Sequence, residues 1–454
     1  MQAAKKFFIL CFALIISGTL LVNCSKQGGG QAAGTPANTV SGPPANTANG
    51  SGNGANVIDF WHIQNFDPAP KFIGDAVWRF VQNNPDYQVK ISVIANDAFK
   101  QKIAVASSAN QYPDVFISWT GGITNQYIAA GALADLTPYF NENNYKAKFL
   151  DAAIAQSTVN GKIYAVPVEN TAISGVFYNK ELFAKYNLEV PATVGELELV
   201  METLKKNGVV PFSLANKTQW CALINYMQLV TRHGGLEPFA KALDGTGSFT
   251  DPAFIYAAEK FQDWVKKGYF NEGFNGLDED SGQSRTMIYT GQAAMQIQGS
   301  WFVPNLYGEN PDFLPKIGFF AFPGDEKGIG NPKTIGGGTI GDNFYHISST
   351  YKNPAKAFEM LTHLLDEQSV KDRIVANRIP PLKGVGAQLT NPVLKEIFDV
   401  VEAAPDLQFW YDQALSPEVA EVFKQNLQEV FGLTMTPQEM GRRLDEAQKK
   451  ALGR

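Results

Sequence analysis

The chain has 454 residues, 44% of them hydrophobic, with 38 Lys and Arg set against 44 Asp and Glu for a net charge of −6. That length exceeds what one hydrophobic core ordinarily supports, so two lobes are expected. Charges of both signs are dispersed and no basic stripe exists to neutralise phosphates, which argues against nucleic acid as a partner.

Lys5 and Lys6 precede an apolar run at 7–22, the order of a secretory signal's basic and apolar regions. The run is short for a membrane span, and Gly, Ala, Asn, Pro and Ser follow it instead of a charged stop-transfer flank. Leu21, Val22, Asn23 and Cys24 resemble the lipobox of bacterial lipoproteins, with Asn23 where Gly or Ala is usual. The resemblance implies a signal at 1–23 and acylation of Cys24; the competing reading is cleavage at another small residue. Cys11 would leave with the signal, so Cys221 alone stays in the folded body and no disulfide framework is expected. The stretch up to residue 56 has almost no large apolar side chain and is expected to be a flexible tether reaching roughly 30 Å.

Residues 57–63 read as a first strand, 72–83 as a helix, 88–95 as a strand, 98–107 as a helix and 112–118 as a third strand. By the crossover rule this β-α-β-α-β order gives a parallel sheet covered by helices, with ligands gathering beyond the carboxyl ends of its strands. Trp61 and His62 end the first strand and Trp119 ends the third, which puts two tryptophans on that rim. Asp114, after Pro113, reads as a cap or turn.

A helix at 125–134 leads on to GKIYAVPVENTAISGVFYNKELF at 161–183. Its first apolar run contains Pro167 and makes a poor central strand. Glu169, Asn170 and Thr171 interrupt it, 172–178 resumes a strand-like pattern, and Asn179 introduces a helix with Glu181 in its first turn. A polar trio between two strands fits a crossing between lobes, or a plain turn in an α/β domain. Farther on, Thr193 and Glu196 form a capping box for a helix at 193–206. A strand at 209–214 and helices at 220–233 and 252–268 follow. A strand at 293–297 ends in Gln-Gly-Ser-Trp301, and 336–347 is Gly-rich and apolar, with mostly helices beyond Pro354.

With PDVFISW, DLTPYF, the 161–183 stretch continued as AKYNLEVP, GQAAMQIQGSW and GGGTIGDNFYHIS in that order, the chain resembles the extracellular solute-binding proteins of ABC importers. Within them it is most similar to the carbohydrate-binding branch that includes maltose-binding protein. The resemblance implies an α/β, periplasmic-binding-protein type II fold, with two lobes, a ligand cleft and multiple chain crossings. It places the first lobe at 57–168 plus 338–390, the second at 173–336 plus 391–454, and hinge crossings at 169–172 and 337–341. It also implies capture of a mono- or oligosaccharide, delivery to ABC permease subunits, and a periplasmic or cell-surface lipoprotein anchored to a membrane. A monomer without cofactor or metal is expected.

The same resemblance puts Glu169 where an acid contacts sugar hydroxyls, makes Trp301 a stacking ring, and gives Trp410 (or Phe409) a similar part. Trp61, His62 and Trp119 rest on strand-end position, and Asn170 and Asn343 on their places at the two crossings. These residue types suit a pyranose, which offers an apolar C–H face and an edge of hydroxyls. One ring covers about 100 Å², worth roughly 2.5 kcal/mol, whereas a micromolar complex needs about 8 kcal/mol, so aromatics and polar groups must converge. The competing reading of each is a core aromatic or a cap.

Enzyme motifs are missing from the sequence: the four histidines are isolated, and neither GxSxG nor GxxxxGK[ST] occurs. Leu277 to Asp280 fails calcium-loop spacing. The remaining alternatives are a surface-anchored polysaccharide-active hydrolase, with Glu169 as one of two carboxylates, and a receptor for a phosphorylated polyol, peptide or polyamine.

Overall fold

The computed structural model describes residues 38–40 and 56–454; the signal, Cys24 and most of the tether lie outside the described residues. In chain order the strands are β1 Asn38–Val40, β2 Asn56–His62, β3 Tyr87–Val93, β4 Val115–Ser118, β5 Thr158–Val159, β6 Lys162–Ile163 and β7 Val166–Pro167. They continue as β8 Thr171–Asn179, β9 Val210–Phe212, β10 Ala293–Gly299, β11 Ile317–Phe320, β12 Ile335–Ile340, β13 Phe344–Ile347 and β14 Leu407–Phe409.

One sheet has the order β1-β3-β2-β4-β13-β7. Its β3-β2-β4 centre is parallel, as the alternation of strands and helices requires. Helices Ala69–Asn83 and Asn96–Ser108 make the crossovers, the first burying Phe72, Ile73, Ala76, Val77 and Phe80 at helical spacing. Pro167 sits in β7, paired only with β13 at the sheet edge, where a missing N–H costs no ladder bond. The opposite edge differs from expectation. Three tether residues, Asn38–Val40, pair antiparallel with β3, whose outer N–H and C=O groups would otherwise stay unpaired.

The second sheet, β14-β12-β8-β10-β9, is built on β8. Along one side β8 pairs with β10, and along the other first with β12 and then with β11, all antiparallel. Every β8 residue but Tyr178 is buried, which suits its mostly apolar side chains, and of its polar ones Ser174 Oγ donates to the Gly337 carbonyl. Asn179 then stops the strand and caps helix Lys180–Lys185, its Oδ1 accepting from the Glu181 and Leu182 N–H groups. At the next helix, Val194–Lys206, Thr193 Oγ1 accepts from Glu196 N–H, while the Glu196 carboxylate reaches the N–H of Ala192 instead of closing the box on Thr193. Helices Trp220–Gly234, Pro252–Lys266, Pro417–Phe431 and Pro437–Ala451 bury a large apolar cluster with Trp264, Tyr226, Phe261, Phe423 and Leu444.

Two lobes therefore form around two sheets, and the chain crosses between them more than once. The first crossing runs through 168–170, between β7 and β8, and the second through 341–343, between β12 and β13. Within the stretches expected as hinges, 169–172 and 337–341, Thr171 pairs with Ile340 and Ala172 with Thr339, while Gly338 pairs with Ile173, so the ladder of the second sheet runs up to the edge of the gap. Among the described residues no helix is long and apolar enough to cross a membrane.

Candidate functional site

A cleft of about 880 Å³ lies between the lobes. Its floor is the pair of crossings, joined by one residue. The Asn170 carbonyl accepts from both Gly341 N–H (3.1 Å) and Asp342 N–H (2.6 Å), and its side-chain Oδ1 accepts from Ile379 N–H at 2.7 Å. Asn170, Asp342 and Asn343 all line the cleft, and Asn343 Oδ1 accepts from Gln64 Nε2.

The walls are aromatic. Trp301 follows β10 and opens helix Phe302–Glu309; its ring centroid lies 5.6 Å from Trp410, which follows β14, and 5.9 Å from Trp220, the first residue of its helix. Across from them Trp119 follows β4, held edge-on by Phe99. Lys100 Nζ reaches between the walls, 5.0 Å from the Trp119 ring and 5.9 Å from that of Trp220.

The lobes also touch at the cleft's margins. On one side Asp97 N–H donates to Asp280 Oδ2 (3.0 Å), and Phe66 lies on the Arg285 guanidinium at 5.3 Å, itself fixed by Glu279 and Glu309. On the other, Gly121 and Gly122 abut the chain at 413–416, with Gln126 Nε2 donating to Glu418. A Cβ at either glycine would overlap a backbone carbonyl, of Gln413 or Leu415.

Of the residues singled out in the sequence, the structure brings Trp119, Asn170, Trp301, Asn343 and Trp410 to the cleft lining, with Asn170, Asn343 and Trp410 each only 2% exposed and Trp410 packed into the apolar cluster of its lobe. It does not bring Trp61, His62 or Glu169 there. Side chains inside a strand point to the faces of its sheet. Trp61 accordingly packs on the sheet face under Lys102 Nζ at 3.8 Å, and His62 is buried, while Gln64 and Phe66, past the strand end, line the cleft. Gly338, in the second Gly-rich stretch, is likewise a strand residue.

Glu169 is wholly buried beneath the floor. It accepts from Tyr345 Oη at 2.7 Å and pairs with Arg373 (3.3 Å) and Arg378 (3.4 Å). Burial pushes its carboxyl up, but Arg373, Arg378, the Tyr345 hydroxyl and His62 outweigh that and hold it below the usual carboxylate range. Glu169 therefore steadies Arg378, which does line the cleft. The sequence reading missed Trp220, Lys100 and Asp342. Asp342 was detectable as the neighbour of Asn343, and Gln64 to Phe66 as the first residues beyond a strand; Trp220 and Lys100 sit on helices and carry no such mark. Among the described residues no group of His, Cys, Asp and Glu is arranged to hold a metal. Cys221 is buried, and burial raises its thiol.

A family model described as bacterial extracellular solute-binding protein matches residues 62–371. An uncharacterised ABC transporter extracellular-binding protein of Pyrococcus horikoshii is 24% identical over 82% of this chain and 83% of its own length. The multiple sugar-binding protein of Streptococcus mutans is 27% identical over 69% of this chain and 73% of its own. Among solved structures, one from work on xylan utilization by Caldanaerobius polysaccharolyticus is 30% identical with a TM-score of 0.80, covering 86% of this chain and 99% of that one. A chitin oligosaccharide binding protein, 24% identical, superposes with a TM-score of 0.81 over 88% of this chain and all of its own. The fold of these neighbours is the type II periplasmic-binding architecture that the sequence led us to expect.

Two outcomes follow from the buried charges. Glu169→Gln leaves Arg373 and Arg378 without a counter-charge and should lower stability by about 3 kcal/mol in urea unfolding; an unchanged midpoint would overturn the structural role given to this acid. His346, whose Nδ1 lies 2.8 Å from the Tyr164 carbonyl, is lowered by burial to about 4. Between pH 6.5 and 4 the unfolded chain then binds a proton that the folded one refuses, so this residue withdraws stability on acidification, about 2 kcal/mol by pH 4.5. His346→Gln should flatten the fall of Tm between pH 7 and pH 4.5 relative to the parent; an equal slope would show that His346 protonates in the folded protein.

Proposed function

Since the chain belongs to the bacterial extracellular solute-binding proteins, we propose that it is the sugar-capturing subunit of an ABC importer. It takes a mono- or oligosaccharide into the cleft and hands it to the permease subunits, and a lipid on Cys24 tethers it at the periplasmic or outer face of a membrane. The observation that carries this reading is the pair of opposed aromatic walls: Trp301, Trp220 and Trp410 on one lobe, Trp119 on the other, over a polar floor. Flat rings accept the C–H face of a pyranose, and the amides and acids between them meet its hydroxyl edge. A cleft of about 880 Å³ suits several sugar units rather than one. The relatives named for sugars support the ligand class, and the structure from work on xylan utilization makes xylo-oligosaccharides the first members of a test panel.

Isothermal calorimetry against xylo-, chito-, gluco- and galacto-oligosaccharides should show saturable binding, with no new reducing ends formed on incubation; turnover of the bound glycan would overturn the reading. Trp301→Ala should weaken the tightest ligand about 100-fold while the protein stays folded by circular dichroism, and unchanged affinity would remove that ring from the site. Gly122→Val, which no ligand needs to touch, should wedge the margin open and weaken binding about tenfold at unchanged stability; full affinity would mean that this contact is no part of closure.

A further inference from the structure

We propose that Asp342, on the second crossing, is the acid that recognises ligand hydroxyls, its carboxylate accepting from two neighbouring hydroxyls of one sugar ring. This rests on the sugar reading and gives to Asp342 the part that the resemblance gives to Glu169. Glu169 cannot play it: its two oxygens are engaged by Tyr345, Arg373 and Arg378, and no part of it reaches the cleft.

Asp342 is placed otherwise. It stands immediately past the Gly341 turn, and its backbone is fixed because its own N–H and that of Gly341 both bond to the Asn170 carbonyl. Its side chain lines the cleft floor, and among the described residues the carboxylate makes no hydrogen bond and no ion pair within 4.0 Å. Most other acids of the cleft are engaged: Glu279 by Arg285, Ser284 and Gln296, Asp280 by the Asp97 N–H, Asp97 by Asn96 and Lys100, Glu418 by Gln126, and Glu421 by Lys424. Asp412 also lines the cleft without a partner among the described residues, but it stands on helix Tyr411–Ala414 and not on a crossing. A half-buried carboxylate without a partner among the described residues, on a backbone held by two hydrogen bonds at the cleft floor, is an acceptor pair suited to a vicinal diol, whose two O–H groups donate in one plane.

Three charged groups face it. Arg378, from the segment after helix Glu367–Val375, and Lys100, from helix Asn96–Ser108, favour the carboxylate; Glu169, from the first crossing, opposes it. Burial is the largest influence, and the carboxyl is pushed up to about 7. Protonation exchanges one acceptor for a donor and removes the charge that strengthens both bonds. Affinity for a diol-bearing sugar should therefore rise with pH across neutrality.

The test titrates the tightest glycan of the panel against the full chain at pH 6, 7 and 8, and repeats it with Asp342→Asn. The parent should bind up to about tenfold more tightly at pH 8 than at pH 6. Asp342→Asn should bind at least tenfold more weakly than the parent at pH 8 and lose the pH dependence. An analogue with one hydroxyl of the diol replaced by hydrogen should lose affinity for the parent but little for the variant. Parent-like binding by Asp342→Asn at pH 8 overturns the assignment and leaves the sugar reading standing, and a pH-independent parent overturns the raised carboxyl alone. A parent that binds no glycan at any pH overturns the sugar reading and this assignment with it. If Asp342→Asn does not fold, Asp342→Ser read in the same titration at pH 8 decides the matter.

Discussion

The fold of this protein depends on the hydrogen bonds of Asn170. Its carbonyl receives two backbone N–H groups of the second crossing, and its side chain receives the N–H of Ile379, whose own carbonyl accepts from Thr171 N–H. Three stretches far apart in sequence are thereby held in one plane between the lobes. Each bond is worth only about 1 kcal/mol net, yet leaving these groups unpaired inside the protein would cost more than that apiece. The two crossings are thereby tied to each other at one point between the lobes.

Beneath that plane lies a second constraint, the placement of like charges. Arg373 and Arg378 share the single carboxylate of Glu169, and the Nε of each has no partner among the described residues. Such an arrangement is costly to bury and is tolerated where it orients something. Here it holds Arg378 at the cleft floor, within electrostatic reach of Asp342. The polar floor is thus a layered structure: a fully paired acid below, an unpaired one above, and an arginine between that belongs to both.

Much of this was legible in the sequence, and the pattern of success is physical. The alternation of strands and helices gives the parallel centre of the first sheet, and the strand-like pattern at 172–178, despite Gly175, gives the strand on which the second is built. Pro167 marks an edge. Trp119, Trp301 and Trp410 reach the cleft because each lies just beyond a strand end, where the chain has left the sheet and a side chain no longer has to choose a face. Trp61 and His62 are still inside their strand, and one residue of pleat is enough to turn them away. Glu169 misleads for a different reason: the two arginines that claim it lie some two hundred residues farther along, and a single sequence carries no sign of that pairing. Three tether residues joining the first sheet were equally hidden, since their place is set by the open edge of β3 and not by any apolar pattern of their own.

Gly121 and Gly122 meet the other lobe main chain to main chain. A contact made by side chains yields, since rotamers can shift to admit a guest slightly too large, but two backbones in contact are a rigid stop. Full closure at this margin is therefore a fixed gauge, independent of what is inside. The spacing of this margin is set by the course of the backbone itself, and no choice of rotamer can adjust it.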